Sequence, residues 1–344
     1  DTSVGFREQV FKSSINLQYV SFQISAAKSW GALLTAFIKK TPKPLQPLYI
    51  DIVSELLSLN IEYGVDAPIF VEVYLLRIEL VFYILYSFVQ TSMVIPESTV
   101  ETLVSQLLAI LKSKEVDYLA NIPLSNKNNL YRPVIRSILI LLTLAKPYHS
   151  FIEKCSDSVL ELFELSFSKG VNVVLSSILS SFATASTKGK KVIVPNIADK
   201  VQDLLLLLSL FTKIKDLSPS ASFNAVLASS LNEFGTLKSL LNLYYSSYLL
   251  KSNDEPLFAE LTLSFISELV TIQEVAQKMI DNGLFSVFLE SPISVSIQTN
   301  GVQPEISPRL HNIWSNGIVS IVLQLLSKFG SSILSEVCLF VSYF

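Results

Sequence analysis

The chain has 344 residues, half of them hydrophobic and only 16 % charged, with a net charge of −3 and a mean hydropathy of +0.48. It holds 55 Leu and 49 Ser but only ten Gly and two Cys. Disorder is excluded because the apolar surface is ample. A disulfide scaffold is excluded because Cys155 and Cys338 stand alone. A phosphate cradle is not expected, since neither G-x-G-x-x-G nor G-x-x-x-x-G-K-[ST] occurs. The acidic balance, with a pI near 5.6, argues against nucleic acid as a partner.

In chain order, apolar residues recur with helical period. The first predicted helices are 4–21, 23–39, 46–62 and 68–91. In Phe70–Val89, Glu72 and Glu79 lie on one narrow polar stripe continued by Gln90, and Arg77 is the one other charge, so this helix must be covered on both sides. Leu80–Pro96 and Gly170–Thr187 are long uncharged runs, but their Ser, Thr, Gln and Asn content argues against membrane spans. Over 97–113, Val100, Leu103, Val104, Leu107, Leu108 and Leu111 form one stripe. Ser98 and Glu101 read as a capping box just after Pro96.

Further helices are predicted at 131–146, 149–169, 171–186, 196–214, 220–233 and 236–250, where Leu237, Leu240, Leu241, Tyr244, Tyr245, Tyr248 and Leu249 share a face. They continue at 256–270, 271–281, 284–290, 308–329 and 331–343, the last but one carrying the stripe Ile318, Ile321, Val322, Leu325, Leu326 and Phe329. Gly64, Gly170, Gly235, Gly283 and Gly330 follow helical runs, as left-handed stops do. The run SPISVSIQT at 291–299 alternates with period two and reads as a short extended piece. Irregular loops are expected at 121–130, 186–195 and 291–307.

Helix starts recur about every 20 residues and helix pairs about every 40, the period of HEAT and armadillo repeats. The expected fold is all-α: a superhelical solenoid of helix pairs, one domain over residues 1–344, some 80 Å long at ordinary packing distances of about 10 Å. VAQKMIDNGLFSVFLES, at 275–291, resembles the helix–Gly–helix junction of armadillo repeats. The Asp1 start and the apolar ending VCLFVSYF read as the cut ends of a piece of a longer protein.

The inventory for chemistry is thin. His149 and His311 are the only histidines, and Cys155, six residues from His149, does not share its helix face. No C-x-x-C, H-E-x-x-H or carboxylate-rich loop has metal-ligand spacing. No catalytic, metal or cofactor residue is therefore expected, and the chain reads as a non-enzyme. Candidate partner-binding residues are the tyrosine stripe Tyr244, Tyr245 and Tyr248, able to line a peptide groove, and Lys190 and Lys191, which with Lys188 could meet an acidic partner. Trp30 and Trp314 read as packing anchors.

One segment carries a resemblance. Pro308–Gly330 reads PRLHNIWSNGIVSIVLQLLSKFG, and its P-R-L-H start, Trp314, Gly317 and long apolar helix resemble a C-terminal segment of the very large scaffold nucleoporins of the nuclear pore inner ring. The resemblance implies an α-helical solenoid related in shape to nuclear transport receptors, at the nuclear pore complex of the nuclear envelope. It implies a structural role through contacts with other nucleoporins, with transport receptors as a second class of partner. It implies no catalysis, cofactor, nucleic acid, membrane span or small-molecule substrate. The alternative is a HEAT- or armadillo-type transport receptor or adaptor that binds cargo peptides on its concave face.

Overall fold

The structure is a computed structural model. It describes residues 2–37, 40, 47–58, 68–114, 116–124, 130–186, 194–248, 256–300, 303, 305 and 307–344. Among these residues there are 19 α-helical segments and no strand. The chain divides into two compact units, residues 1–121 with 126–158, and residues 122–125 with 159–344.

The first unit contains α1 (Thr2–Phe37), α2 (Pro47–Leu57), α3 (Pro68–Gln90), α4 (Glu97–Lys112), α5 (Tyr118–Asn121), α6 (Tyr131–Ala145) and α7 (Phe151–Lys154). The helix that is apolar nearly all round, α3, packs against α1, α2 and α6, and α6 also packs against α4. Burial on several sides is what its composition requires. The six-residue stripe on α4 is buried throughout. Behind α4, Tyr148 donates its hydroxyl to the Ile95 carbonyl, and Glu97 accepts from Ser150 at 3.1 Å and from Lys154 at 2.5 Å.

Two expectations are corrected here. The helices predicted at 4–21 and 23–39 are a single helix, α1, because no breaker stands between Tyr19 and Ile24. The Ser98–Glu101 capping box does not form. Helix α4 begins at Glu97 with Pro96 as its N-cap, so Ser98 is already in the first turn and no side chain caps the end.

The division between units falls within α8 (Ser156–Phe163), after Ser158. The helix runs on through a π turn, Glu164–Lys169, into α9 (Gly170–Ser186). Gly170 is therefore no stop: its φ is −61°, inside a continuous helical path. Lys169 and Glu164, five residues apart, pair at 2.6 Å across the π turn.

The second unit continues with α10 (Ile197–Asp216), α11 (Ala221–Glu233), α12 (Thr236–Ser246), α13 (Leu257–Leu269), α14 (Gln273–Asp281), α15 (Leu284–Glu290) and α16 (Pro292–Asn300). It then has α17 (Pro308–Asn312), a π turn at Ile313–Val319, α18 (Ser320–Phe329), a 3₁₀ turn at Gly330–Ile333 and α19 (Leu334–Tyr343). Helix α10 packs on α13, α11 on α14, and α12 on α15. In turn α13 packs on α18, and α15 on α19.

Gly235, Gly283 and Gly330 each stand between two helical segments. All three have positive φ, +72°, +88° and +56°, where a side chain is disfavoured. They are 48 and 47 residues apart (235 to 283 to 330). Between the first two junctions the Asn282 amide donates to the Asn232 side-chain oxygen at 3.0 Å.

The 291–299 segment is also corrected: it is helix α16, not an extended piece. Ser291 accepts from the Ser294 backbone N–H at 3.3 Å and so caps the start, and Pro292 is the first helical residue. Ile293 and Ile297, both buried, are four apart, a spacing that fits a helix as well as a strand.

The core of this unit is aromatic. Phe163, Phe167 and Phe211 stack at 5.2 Å in sequence, and Phe265 closes on Phe167 at 6.0 Å. Two helical runs, Ser156–Phe182 and Pro308–Tyr343, are long and apolar enough to cross a membrane by length and composition alone. The apolar window of the first is 56 % buried within the protein, as a core helix is. The second bends at Gly330 and turns Ile313, Ile318, Ile321 and Leu325 inward.

Candidate protein-contact surfaces

The Pro308–Gly330 segment is held to α13 along its length. The Arg309 guanidinium grips Glu260 in a two-pronged pair, Nε to Oε1 at 2.8 Å and Nη2 to Oε2 at 2.6 Å. Gly317, in the π turn, sits against Leu263: a Cβ built there would lie 2.6 Å from Leu263 Cδ1. Further along, Gln324 donates to Ser267 at 3.3 Å and Lys328 to the Thr271 carbonyl at 2.8 Å. Trp314 stacks on Phe340 at 5.6 Å and meets Phe344 at 4.2 Å, the packing role expected of it. Trp30, expected as a packing anchor, is instead 60 % exposed on α1.

Between α13 and this segment lies an open groove of about 600 Å³, lined by Glu260, Ser264, Ser267, Glu268, Asn312 and Asn316 among others. Its two acids are already matched, Glu260 by Arg309 and Glu268 by Lys215 at 2.6 Å. The groove thus offers amides and hydroxyls beside the apolar side chains of Leu208, Leu263 and Ile313, with its acids paired. Among the described residues no group of three His, Cys, Asp or Glu is placed to hold a metal ion.

The tyrosine stripe separates. Tyr244 is fully buried on α12, edge-on to Phe288 at 5.5 Å, with its hydroxyl 3.5 Å from Ser294 Oγ. Burial pushes its hydroxyl up to about 12. Tyr245 is 45 % exposed and Tyr248 half-buried, so only these two reach the surface. Lys190 and Lys191 lie outside the described residues. Cys155 is half-buried, and desolvation together with the Glu101 carboxylate pushes its thiol up to about 11, away from nucleophilic use. Lys200 is buried, donating to Ser177 Oγ at 2.5 Å and to the Pro123 carbonyl at 3.1 Å, and burial lowers its pKa.

Among the described residues, α1 carries a long run of exposed apolar side chains. Phe11, Ile15, Tyr19, Phe22, Trp30 and Leu33 are each between 49 % and 71 % exposed. From Val20 to Leu34 the helix packs on α3, where Gly31 lets Leu80 approach, whereas residues 4–19 are exposed on every face.

These features define an all-α repeat protein whose polar side chains tie helix to helix and whose remaining surface suits protein contacts. The chain belongs to the family described as nuclear pore protein NUP188 C-terminal domain, whose sequence model matches residues 84–344. It is 52 % identical, over its whole length, to nucleoporin NUP188 of Saccharomyces cerevisiae. It is 26 % identical, over 95 % of its length, to nucleoporin nup184 of Schizosaccharomyces pombe. The chain spans about a fifth of the length of these relatives, 21 % and 20 % respectively.

Proposed function

We propose that this chain serves as a structural scaffold segment of the nuclear pore complex at the nuclear envelope, in its inner ring. It acts through contacts with other nucleoporins, supports nucleocytoplasmic transport and performs no catalysis. The observation that carries the reading is the 52 % identity to a nucleoporin over the entire chain. The architecture supports it: each helical repeat contacts its neighbours, which leaves broad surfaces for partners. The transport-receptor reading has less support, because Tyr244 is withdrawn into the core and the acids of the 600 Å³ groove are matched by Arg309 and Lys215.

The test is a chimera of the Saccharomyces cerevisiae relative in which this chain replaces the matching fifth, followed by affinity capture and mass spectrometry. Recovery of nucleoporins at the level of the parent supports the scaffold reading. Recovery of cargo-bearing transport complexes without nucleoporins contradicts it.

A further inference from the structure

Among the described residues serine precedes proline three times, at Ser218–Pro219, Ser291–Pro292 and Ser307–Pro308. The fold treats the three hydroxyls differently. Ser291 is fully buried, and its hydroxyl donates to Ser294 Oγ at 2.8 Å while accepting from the Ser294 backbone N–H at 3.3 Å. Ser218 is exposed but stands in a left-handed turn, with a φ of +55° and its N–H bonded to the Lys215 carbonyl at 2.9 Å. Ser307 is half-buried and extended, with φ −147° and ψ 86°, ahead of a trans peptide bond to Pro308.

Ser307 is also a cap residue that does not cap. It is the N-cap of α17, where a serine hydroxyl ordinarily accepts from a first-turn N–H, yet no side chain accepts there. Its backbone is held on both sides: the N–H donates to the Gln303 carbonyl at 3.2 Å, and the carbonyl accepts from the His311 N–H at 3.0 Å. The hydroxyl is thus left unused at the head of a helical path that runs on to Phe329. Two residues on, Arg309 grips Glu260. Proline-directed protein kinases take a serine in extended backbone and accept directly after it a proline, which has no N–H. We propose that Ser307 is a phosphorylation site for such a kinase, and that the phosphoryl group recruits Arg309.

In that step Ser307 Oγ attacks the γ-phosphorus of ATP, the bond to the β-phosphate oxygen breaks, ADP leaves, and the hydroxyl proton passes to the general base of the kinase. The product carries nearly two negative charges and three acceptor oxygens. Glu260 and Glu305 share its sign, and Arg309 opposes it. The first-turn N–H groups that the hydroxyl leaves uncapped, at the positive end of the helix dipole, also favour an anion. An Arg fork binds phosphate as it binds carboxylate. Phosphorylation therefore draws Arg309 from Glu260 and acts on the pair that ties the start of this segment to α13. The inference stands independently of the pore reading, since it uses only this segment and its contact with α13.

The test incubates the whole 344-residue chain with a purified mitogen-activated protein kinase, ATP and Mg²⁺, beside three peptides that carry the three Ser–Pro sites, and places the phosphate by mass spectrometry. The peptides should be labelled at all three serines. The folded chain should be labelled at Ser307 at least about tenfold faster than at Ser218 or Ser291, since only Ser307 is both extended and free of a hydroxyl bond. Ser307→Ala removes no cap, so it should melt as the parent does and lose that label. Phosphorus-31 NMR then titrates the phosphoserine. Its second pKa, about 6 for an exposed phosphoserine, should lie lower in the parent and rise in Arg309→Gln, with Arg309→Lys, which keeps the charge, in between. No label at Ser307 of the folded chain, equal labelling of Ser218 or Ser291, or one titration shared by the parent and both Arg309 variants would each overturn the proposal.

Discussion

Arg309 and Glu260 form a two-pronged ion pair that ties the first turn of the Pro308–Gly330 segment to the first turn of α13, 49 residues earlier. Both side chains are about 30 % exposed, so the pair is partly shielded from water. An Arg fork on a carboxylate fixes geometry as well as charge, which a Lys cannot reproduce. Arg309→Lys is expected to cost about 1 kcal/mol, after allowance for solvent screening. Thermal denaturation should show a drop of about 2–4 °C for a unit of this size. An unchanged melting temperature would mean that the pair contributes nothing to the docking of this segment.

Gly317 does not have a positive φ, and its requirement is for space. A side chain there collides with Leu263, which is itself buried. Gly317→Ala can be met by a shift of the Leu263 end, whereas Gly317→Val forces the two helical segments apart. Overpacking of that kind costs about 1–3 kcal/mol. The valine variant should melt clearly below the alanine variant. The reverse order would place the close approach elsewhere.

Leu325 and Leu323 are two residues apart on α18 and face opposite environments, 0 % and 58 % exposed. Leu325→Asp buries an unpaired carboxylate, at a cost of several kcal/mol. Leu323→Asp should stay within about 0.5 kcal/mol of the parent. Urea denaturation of both variants decides it, and equal midpoints would mean that the buried face has been misassigned.

Tyr244 gives stability a sign at high pH. Its hydroxyl is raised from 10.0 to about 12 by burial, so the folded state favours the neutral form. That contribution is complete below about pH 10 and is lost as pH rises from about 10 towards 12. Tyr244→Phe removes the group that titrates. Near pH 7 the variant should match the parent closely, since the bond to Ser294 is long at 3.5 Å. Between pH 10 and 12 the parent should fall relative to the variant in thermal melts. Parallel pH profiles would contradict this.

Much of the fold was legible because burial and helical period coincide. The α4 stripe from Val100 to Leu111 and the residues Ile318, Ile321, Val322 and Leu325 lie where the 3.6-residue period puts them. Gly235, Gly283 and Gly330 were legible as stops. Gly170 was not, because a π turn carries the helix through it and nothing local distinguishes the two outcomes. Residues 291–299 misled because isoleucines four apart satisfy both periods. The tyrosine stripe shows a second limit. Helical spacing placed Tyr244, Tyr245 and Tyr248 together, but spacing cannot say which of them the neighbouring α15 covers. The outer stripe of α1 was visible as apolar residues, yet its exposure depends on what packs alongside, which is a tertiary property.

Fluorescence imaging of the chimera that carries this chain is the most direct test of its proposed role as a scaffold segment working through helical surfaces. A punctate nuclear rim as strong as that of the unaltered relative is expected, reduced by Leu325→Asp, which breaks the fold, and retained in Leu323→Asp, which does not. A diffuse signal from the chimera, or a rim indifferent to Leu325→Asp, would contradict it.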